Sequence, residues 1–268
     1  MADSSTTPSF RQGIAAYYDR LAGSYGDGAA FAARRAAILR AIADDVAGAQ
    51  VILDVGCGNG TYLVELATRS PAAQIVGIDL SPEMLHAAAA RVGGRACLVR
   101  GDALALPFES EQFDIVFMSH VLQLVPDVEG CIAEVARCLA PGGLLISTLG
   151  TGRWREALLP VLDDDILREL SGLIQSARSR TPSDDPTRVT AACAAAALQP
   201  MCRDLMLSID WAAIEEFIRV RWFPVVDEAT QRRAESWLER ARAQSSERTL
   251  SMSETLLVAR KGPPRSAP

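Results

Sequence analysis

Five short apolar runs alternate with helical segments between residues 51 and 149, and this alternation limits the possible folds more than any other feature of the chain. The apolar runs are rich in Val, Ile and Leu and span residues 51–55, 74–79, 96–100, 113–118 and 143–149. Between most of them, apolar residues recur at helical spacing over about 60–69, 82–91 and 127–139. Strands that alternate with helices form a parallel sheet whose crossover helices cover both faces. The sequence therefore predicts a doubly wound, Rossmann-like α/β sheet.

The segments on either side of this alternation extend the predicted domain. Two amphipathic helices, over 10–24 and 31–47, precede the first strand. After residue 150 the apolar spacing predicts a helical cap and two more strands. The cap helices are expected at 157–178, 188–199, 211–222 and 227–243, and the strands at 201–210 and 250–260.

Composition excludes several classes of protein. Hydrophobic residues make up 49% of the 268 residues and charged ones 22%, as in ordinary globular proteins. The net charge of -6 argues against nucleic acid as the main partner. The six cysteines lack the spacing of a metal site, so we expect buried free thiols and no metal. The first residues lack the features of a signal peptide, and no apolar run reaches the roughly 18 residues that span a bilayer. We therefore expect an unanchored cytoplasmic protein.

The first predicted strand leads into a glycine-rich turn, "LDVGCGNG", residues 53–60. Glycines at a strand-to-helix turn permit positive φ and close approach of a ligand, and the amides of the following helix attract an anion. The spacing Gly56, Gly58, Gly60 differs from the dinucleotide pattern G-x-G-x-x-G. Asp54 would repel a diphosphate but can accept hydrogen bonds from an ammonium group. A ligand with both an amino group and a carboxylate fits this turn better than a phosphate.

Acidic residues also follow the second and third strands. Asp79 ends "IVGID" about 20 residues beyond the glycines, where a carboxylate can accept from both hydroxyls of a ribose. Asp102, after Gly101, can accept from an adenine amine, and Ala103 and Met84 offer apolar contacts to a purine. Three acids at three successive strand ends therefore predict a nucleoside site.

These segments resemble the motifs of class I S-adenosylmethionine-dependent methyltransferases, above all the ubiquinone/menaquinone-type group. The resemblance covers about residues 14–150 and rests on "LDVGCGNG", "GIDLSPEML", "GDALALPF", "FDIVFMSHVL" and "LAPGG". It implies a seven-stranded, mostly parallel sheet with an antiparallel last strand, S-adenosyl-L-methionine as cofactor, and a lid that contains "YDRLAGSY". The implied cofactor contacts are Tyr18, Tyr25, Asp54, Gly56, Cys57, Gly58, Gly60, Asp79, Leu80, Met84, Asp102, Ala103 and Ser119.

The resemblance also implies a division of the chain. We expect one methyltransferase domain over residues 10–260, with a helical lid (10–47), a cofactor-binding core (48–150) and a last strand (250–260). Substrate-cap insertions that include the sixth strand are expected over 151–249. Residues 1–9 and 261–268 are expected to be disordered.

His120, just past the fourth strand, is the candidate general base, because a hydroxyl, carbon-acid or protonated-amine acceptor must lose a proton. A structural histidine is the alternative reading, and His86 is expected at the surface. The acceptor is expected to be a small, partly apolar molecule. Its candidate pocket residues are Gln123, Trp154, Trp211, Trp222 and Phe223.

Three other functions compete with methyl transfer. An NAD-dependent dehydrogenase shares the sheet but favours the other glycine spacing. A partner subunit could hold the cofactor without transferring methyl, and an enzyme could use the cofactor for other chemistry such as cyclisation. The nature of the acceptor atom and the oligomeric state do not follow from the sequence.

Overall fold

The structure is a computed structural model. It describes residues 10–23, 25–26, 28–149, 162–165, 167–169, 172, 185–222, 227–245 and 250–263.

A seven-stranded sheet forms the centre of the fold, as predicted. Its strands are β1 (Val51–Val55), β2 (Gln74–Asp79), β3 (Cys97–Arg100), β4 (Phe113–Ser119), β5 (Leu139–Leu149), β6 (Leu198–Ile209) and β7 (Leu250–Lys261). They lie in the order β3-β2-β1-β4-β5-β7-β6. The first five strands pair in parallel, and β7 is antiparallel to both β5 and β6. The prediction of a mostly parallel sheet with an antiparallel last strand is confirmed.

Nine helices are described around the sheet. They are α1 (Phe10–Leu21), α2 (Ala29–Ala41), α3 (Ala43–Val46), α4 (Thr61–Arg69), α5 (Pro82–Val92), α6 (Val128–Cys138), α7 (Pro186–Ala195), α8 (Trp211–Trp222) and α9 (Glu228–Ser245), with a 3-10 turn at Leu122–Leu124. The helix predicted over 31–47 is broken at Ile42, whose ψ of 9° ends α2 before α3 begins. Most of the helix predicted over 157–178 and part of the cap lie outside the described residues, as do residues 1–9 and 264–268 of the predicted disordered ends. Lys261, the first residue of the predicted disordered tail, instead ends β7, where it pairs with Leu198.

Alternate residues of the central strands face opposite layers of helices. Ile52, Ile115 and Phe117 pack in one apolar cluster with α2, α4 and α5. Leu53 and Val116 pack in another with α6 and α7. A third cluster joins α8 and α9 to the ends of β6 and β7. Because helices cover both faces, the carboxyl ends of the parallel strands form an edge that is open to a ligand.

The prediction of buried free thiols is confirmed for four of the six cysteines. Cys57, Cys131, Cys138 and Cys193 are buried, whereas Cys97 and Cys202 are exposed. Cys97 lies on β3 and Cys202 lies on β6, and each of these two edge strands lacks a neighbouring strand on one side. Among the described helices, none combines the length and apolarity needed to cross a bilayer.

Candidate cofactor and acceptor site

The glycine turn after β1 adopts the backbone conformation predicted for it. The φ angles of Gly56, Gly58 and Gly60 are +68°, +53° and +80°, which side chains other than glycine disfavour. A Cβ atom on Gly56 would lie 2.4 Å from Cγ2 of Val121. A Cβ on Gly60 would lie 3.1 Å from the backbone of Ala88, so this glycine lets α4 approach α5. The turn therefore stays open only because these positions lack side chains.

Asp79, the last residue of β2, joins the turn to the start of α5. Its Oδ2 accepts from the backbone N–H of Gly58 at 2.8 Å, and its Oδ1 accepts from that of Ser81 at 2.9 Å. Burial raises the pKa of this carboxyl, although the backbone donors act in the opposite direction. Each carboxylate oxygen keeps a lone pair beyond these bonds. Asp79 can therefore accept from two ligand hydroxyls without releasing the turn.

Asp54 is a buried acid directly below the turn. Its side chain is 1% exposed, and its Oδ2 has no hydrogen-bond partner among the described residues. Burial, and then the negative charge of Asp79, raise its pKa well above the usual range. A cationic group bound nearby would relieve both effects, whereas a diphosphate would be repelled. The orphaned carboxylate oxygen therefore fits an ammonium group.

The third acid, Asp102, follows β3 in a tight turn. Its Oδ1 accepts from the backbone N–H of Leu104 at 2.9 Å. Asp102 and its neighbours Gly101 and Ala103 line the same cavity as Asp79. The predicted nucleoside contacts on β2 and β3 are thus brought together.

The N-terminal helix closes one side of the cavity. Ile14, Tyr18 and Tyr25 line it, and the two tyrosine rings meet edge to face at 5.5 Å. The Asn59 side chain donates to the Tyr25 carbonyl at 2.6 Å, which joins this segment to the glycine turn. α1 is also held to α5, because Ser81 Oγ lies 2.5 Å from Asp19 Oδ1.

His120 follows β4 on the other side of the cavity. It has a φ of +58°, and its N–H donates to Thr148 Oγ1 at 2.9 Å. Its ring bridges two side chains: Nε2 lies 2.7 Å from Oε1 of Glu254, and Nδ1 lies 3.2 Å from Oε1 of Gln123. His86 is exposed, as predicted.

The cavity at this edge has an empty volume of about 810 Å³, part of which is open to solvent. The predicted site residues that line it are Tyr18, Tyr25, Gly56, Gly58, Asp79, Leu80, Met84, Asp102, Ala103, Ser119 and His120. The predicted residues that do not line it are Asp54, Cys57, Gly60, Gln123 and Trp211. Trp154, Phe223 and the side chain of Trp222 lie outside the described residues.

Trp211 packs in the C-terminal core instead of the cavity. It is 3% exposed, and its ring lies 6.0 Å from that of Trp237. Cys57 is likewise buried, and burial and then Asp54 raise the pKa of its thiol well above the usual range. Among the described residues, no group of His, Cys, Asp and Glu could hold a metal ion.

Sequence reasoning missed two groups of residues at this site. The first is the apolar wall that follows His120, formed by Val121, Leu124, Val125 and Pro126. The second is the ion pair between Glu254 on β7 and Arg34 on α2, in which Nε lies 2.5 Å from Oε2. A signal for Glu254 exists, since it is the one acid in the apolar run "LSMSETLLVA". Its partners cannot be found from spacing, because they come from distant segments.

The strand order of the sheet is that of a Rossmann-like fold, with the cavity at the carboxyl edge, and solved methyltransferase structures share this fold. Residues 53–147 match the family model described as "Methyltransferase domain". The match runs from β1 to β5.

The chain is similar to a demethylmenaquinone methyltransferase of Roseiflexus castenholzii, with 40% identity over 108 residues. That match covers 40% of this chain and 45% of the relative, so the chain spans less than half of the relative's length. Two solved structures share the fold alone. Phosphoethanolamine N-methyltransferase 2 of Haemonchus contortus, in complex with S-adenosyl-L-methionine, has a TM-score of 0.60 at 18% identity, covering 96% of this chain and 61% of that one. The [4+2]-cyclase SpnF has a TM-score of 0.57 at 19% identity, covering 96% and 98%.

Proposed function

We propose that this protein is an S-adenosylmethionine-dependent methyltransferase that acts on a small, partly apolar molecule. One observation carries the proposal: the glycine turn is flanked by Asp54 and Asp79, with Asp102 on the same cavity. Three acids disfavour a dinucleotide diphosphate and suit a cationic amino acid attached to a nucleoside. The methyltransferase family match over residues 53–147 supports the same conclusion.

The proposed cofactor contacts follow from the positions of the side chains. The amino-acid part would lie on Gly56 and Gly58, with its ammonium group directed toward Asp54. The ribose hydroxyls would bind Asp79, and the adenine would lie between Met84 and Ala103, with its amine toward Asp102. Tyr18 on α1 and Tyr25 in the turn after it would cover the cofactor.

Once bound, the cofactor supplies an activated methyl group on a sulfonium. The chain's own residues bind the acceptor in line with that group and exclude water. The apolar wall after His120 serves the second purpose, since Val121 and Val125 are buried against the cavity. His120 would take a proton from the acceptor.

Two observations support the proposed acceptor: the apolar lining of the cavity and the name of a similar protein. The wall from Val121 to Pro126 suits an apolar ring or chain. The name of the Roseiflexus castenholzii relative points to an aromatic, quinone-type acceptor. Residues 151–249 are proposed to complete the acceptor pocket, and residues 10–47 to form the lid.

Calorimetric titration with S-adenosylhomocysteine tests the cofactor site. We expect Asp79→Asn to weaken binding by about 1–3 kcal/mol, the scale for a lost charged hydrogen-bond partner. Asp114→Asn is the matched control, since Asp114 Oδ2 also accepts two backbone N–H groups, from Gln50 at 2.7 Å and Val51 at 3.0 Å. Asp114 lies at the opposite end of the strands. Equal losses in the two variants would refute the ribose assignment.

Product mass separates methyl transfer from the competing functions. The purified chain is incubated with S-adenosylmethionine and a panel of naphthohydroquinones, catechols and secondary amines. Methyl transfer yields a product that is one methylene heavier than the acceptor. A rearranged acceptor of unchanged mass would show cyclisation chemistry instead, and NAD binding in place of S-adenosylhomocysteine would show a dehydrogenase.

A further inference from the structure

His120 is held in an uncommon backbone conformation at the wall of the cavity. Its φ of +58° lies in the left-handed region, which few residues other than glycine occupy. The bond from its N–H to Thr148 Oγ1 fixes this conformation at the junction of β4 and the 3-10 turn. The ring is thereby directed at the cavity and across toward β7. Such conformations persist where the surrounding structure imposes them, often at functional sites.

The contact with Glu254 determines which ring nitrogen carries the hydrogen. An ionised carboxylate can only accept, so Nε2, 2.7 Å from Oε1 of Glu254, must donate. In the neutral ring the lone pair is then on Nδ1. Nδ1 lies 3.2 Å from Gln123 Oε1, an acceptor that can take a hydrogen bond from Nδ1 once the ring is protonated. Nδ1 is therefore the basic atom of the ring.

The carboxylate beside the ring is itself paired with a cation. Glu254 is 5% exposed, and Arg34 Nε lies 2.5 Å from its Oε2, so the carboxylate charge is already balanced. Arg35 is a further cation on α2. Tyr62 on α4 is uncharged near neutral pH, because burial raises its pKa to about 12. An imidazolium at His120 would share this carboxylate with Arg34.

We propose that Glu254 is a positioning residue that holds His120 as the Nε2–H tautomer, so that Nδ1 accepts the proton of a hydroxyl or carbon-acid acceptor. This inference rests on the proposed function. The acceptor's oxygen or carbon forms a bond to the methyl group, the sulfonium–methyl bond breaks, and the acceptor's proton goes to Nδ1. The positive charge lost at sulfur is thus gained by the imidazolium, which Glu254 stabilises.

The proposal narrows the class of acceptor. A neutral amine attacks with its own lone pair and loses its proton to water afterwards, so it needs no base in the cavity. A base with an oriented tautomer at the wall of the cavity is useful only where the attacking atom must lose a proton as it reacts. The expected acceptors are therefore phenols, enols and activated carbon acids.

Nuclear magnetic resonance of the imidazole nitrogens tests the proposal without an acceptor. The chain has two histidines, so protein labelled with ¹⁵N-histidine gives two ring systems, and exposed His86 is the internal reference. In wild type saturated with S-adenosylhomocysteine, we expect neutral His120 to be the Nε2–H tautomer. In Glu254→Gln we expect the tautomer ratio to fall by about tenfold, which corresponds to 1.4 kcal/mol, and the titration midpoint to move to lower pH.

A matched variant separates positioning from loss of stability. Glu215 is another buried carboxylate, and it is held by Arg219 and Arg242 away from the cavity. We expect Glu215→Gln to leave the His120 resonances unchanged. If Glu254→Gln does not fold, Arg34→Gln provides the second test, because removal of this cation should move the midpoint of His120 to higher pH.

The proposal is overturned if His120 carries its hydrogen on Nδ1 in wild type. It is also overturned if the tautomer ratio is the same in wild type and Glu254→Gln, or if Arg34→Gln leaves the midpoint unchanged. Affinity for S-adenosylhomocysteine is measured in the same samples and is expected to stay within about threefold of wild type in Glu254→Gln, well below a tenfold, 1.4 kcal/mol effect. If wild type fails to bind that ligand, the proposed function fails, and the tautomer ratio is then compared between ligand-free wild type and Glu254→Gln, which tests the role of Glu254 by itself.

Discussion

Replacement of Asp54 by asparagine should stabilise the ligand-free protein and weaken cofactor binding. The carboxyl is 1% exposed, and its Oδ2 lacks a hydrogen-bond partner among the described residues. Burial and the charge of Asp79 both oppose its ionisation. Asparagine keeps the shape of the side chain and removes the charge. The buried carboxylate of Asp54 therefore destabilises the ligand-free protein at a position where it would favour binding of a cationic ligand.

The sign and size of the stability change follow from this environment. The folded-state pKa of Asp54 lies well above the unfolded value of 3.8. Stability contributed by such a group is present below the unfolded value and is lost as pH rises toward the folded one. Relative to wild type, Asp54→Asn should thus gain stability as pH increases from about 4. At pH 8 we expect the variant to be more stable than wild type by about 1–3 kcal/mol, the cost of a buried polar group left unsatisfied. Each kcal/mol of this gain should raise Tm by about 2–4 °C.

Thermal unfolding at pH 5 and pH 8, with and without S-adenosylhomocysteine, measures both effects. The gain in Tm without ligand should be larger at pH 8, and the affinity for the ligand should fall by about tenfold or more. Asp114→Asn serves as the control, since it removes an acceptor of two backbone bonds far from the turn. It should lower Tm and leave the affinity unchanged. A lower Tm for ligand-free Asp54→Asn at pH 8, or an unchanged affinity, would refute the reasoning.

Three further predictions concern packing, ionisation and accessibility. Gly60→Ala should destabilise the fold by about 1–3 kcal/mol more than Gly48→Ala in urea unfolding. Both glycines have positive φ, but only Gly60 faces a close neighbour. Equal losses of stability in the two variants would contradict the close packing of α4 against α5 at Gly60. The pKa of Tyr62 is raised to about 12 by burial, so wild type should lose stability more steeply than Tyr62→Phe as pH rises from 10 to 12, and parallel pH curves would contradict this. Ellman's reagent should react with Cys97 and Cys202 in the folded protein and spare the other four thiols; a rapid reaction of more than two would show that the core is open.

β1 and β2 could be predicted to the residue, and β4 to within one residue, because their apolar runs are unbroken. β1 and β2 occupy the predicted ranges, 51–55 and 74–79. The bounds of β5 and β6 were wrong by several residues. β5 begins at Leu139 and runs through a glycine of positive φ, and β6 begins at Leu198, which pairs with Lys261. Backbone pairing with a neighbouring strand extended both strands beyond their apolar cores, and single-strand patterns do not contain that information.

The candidate site shows the same division between local and distant signals. The glycines and the acids at the strand ends could be predicted, because each follows a strand directly along the chain. Glu254 could not, since its contact with His120 joins residues 134 positions apart. Trp211 was assigned to the acceptor pocket, but it packs against Trp237 in a core that no local pattern describes.

The contact between Asp79 and the ribose of bound S-adenosylhomocysteine tests the central claim most directly. A crystal structure of the complex measures the distances from the Asp79 carboxylate oxygens to the two ribose hydroxyls. The account predicts two hydrogen bonds of about 2.5–3.0 Å, with the bonds from Gly58 and Ser81 intact. A ligand bound outside this cavity, or one whose ribose hydroxyls contact other residues, would contradict it.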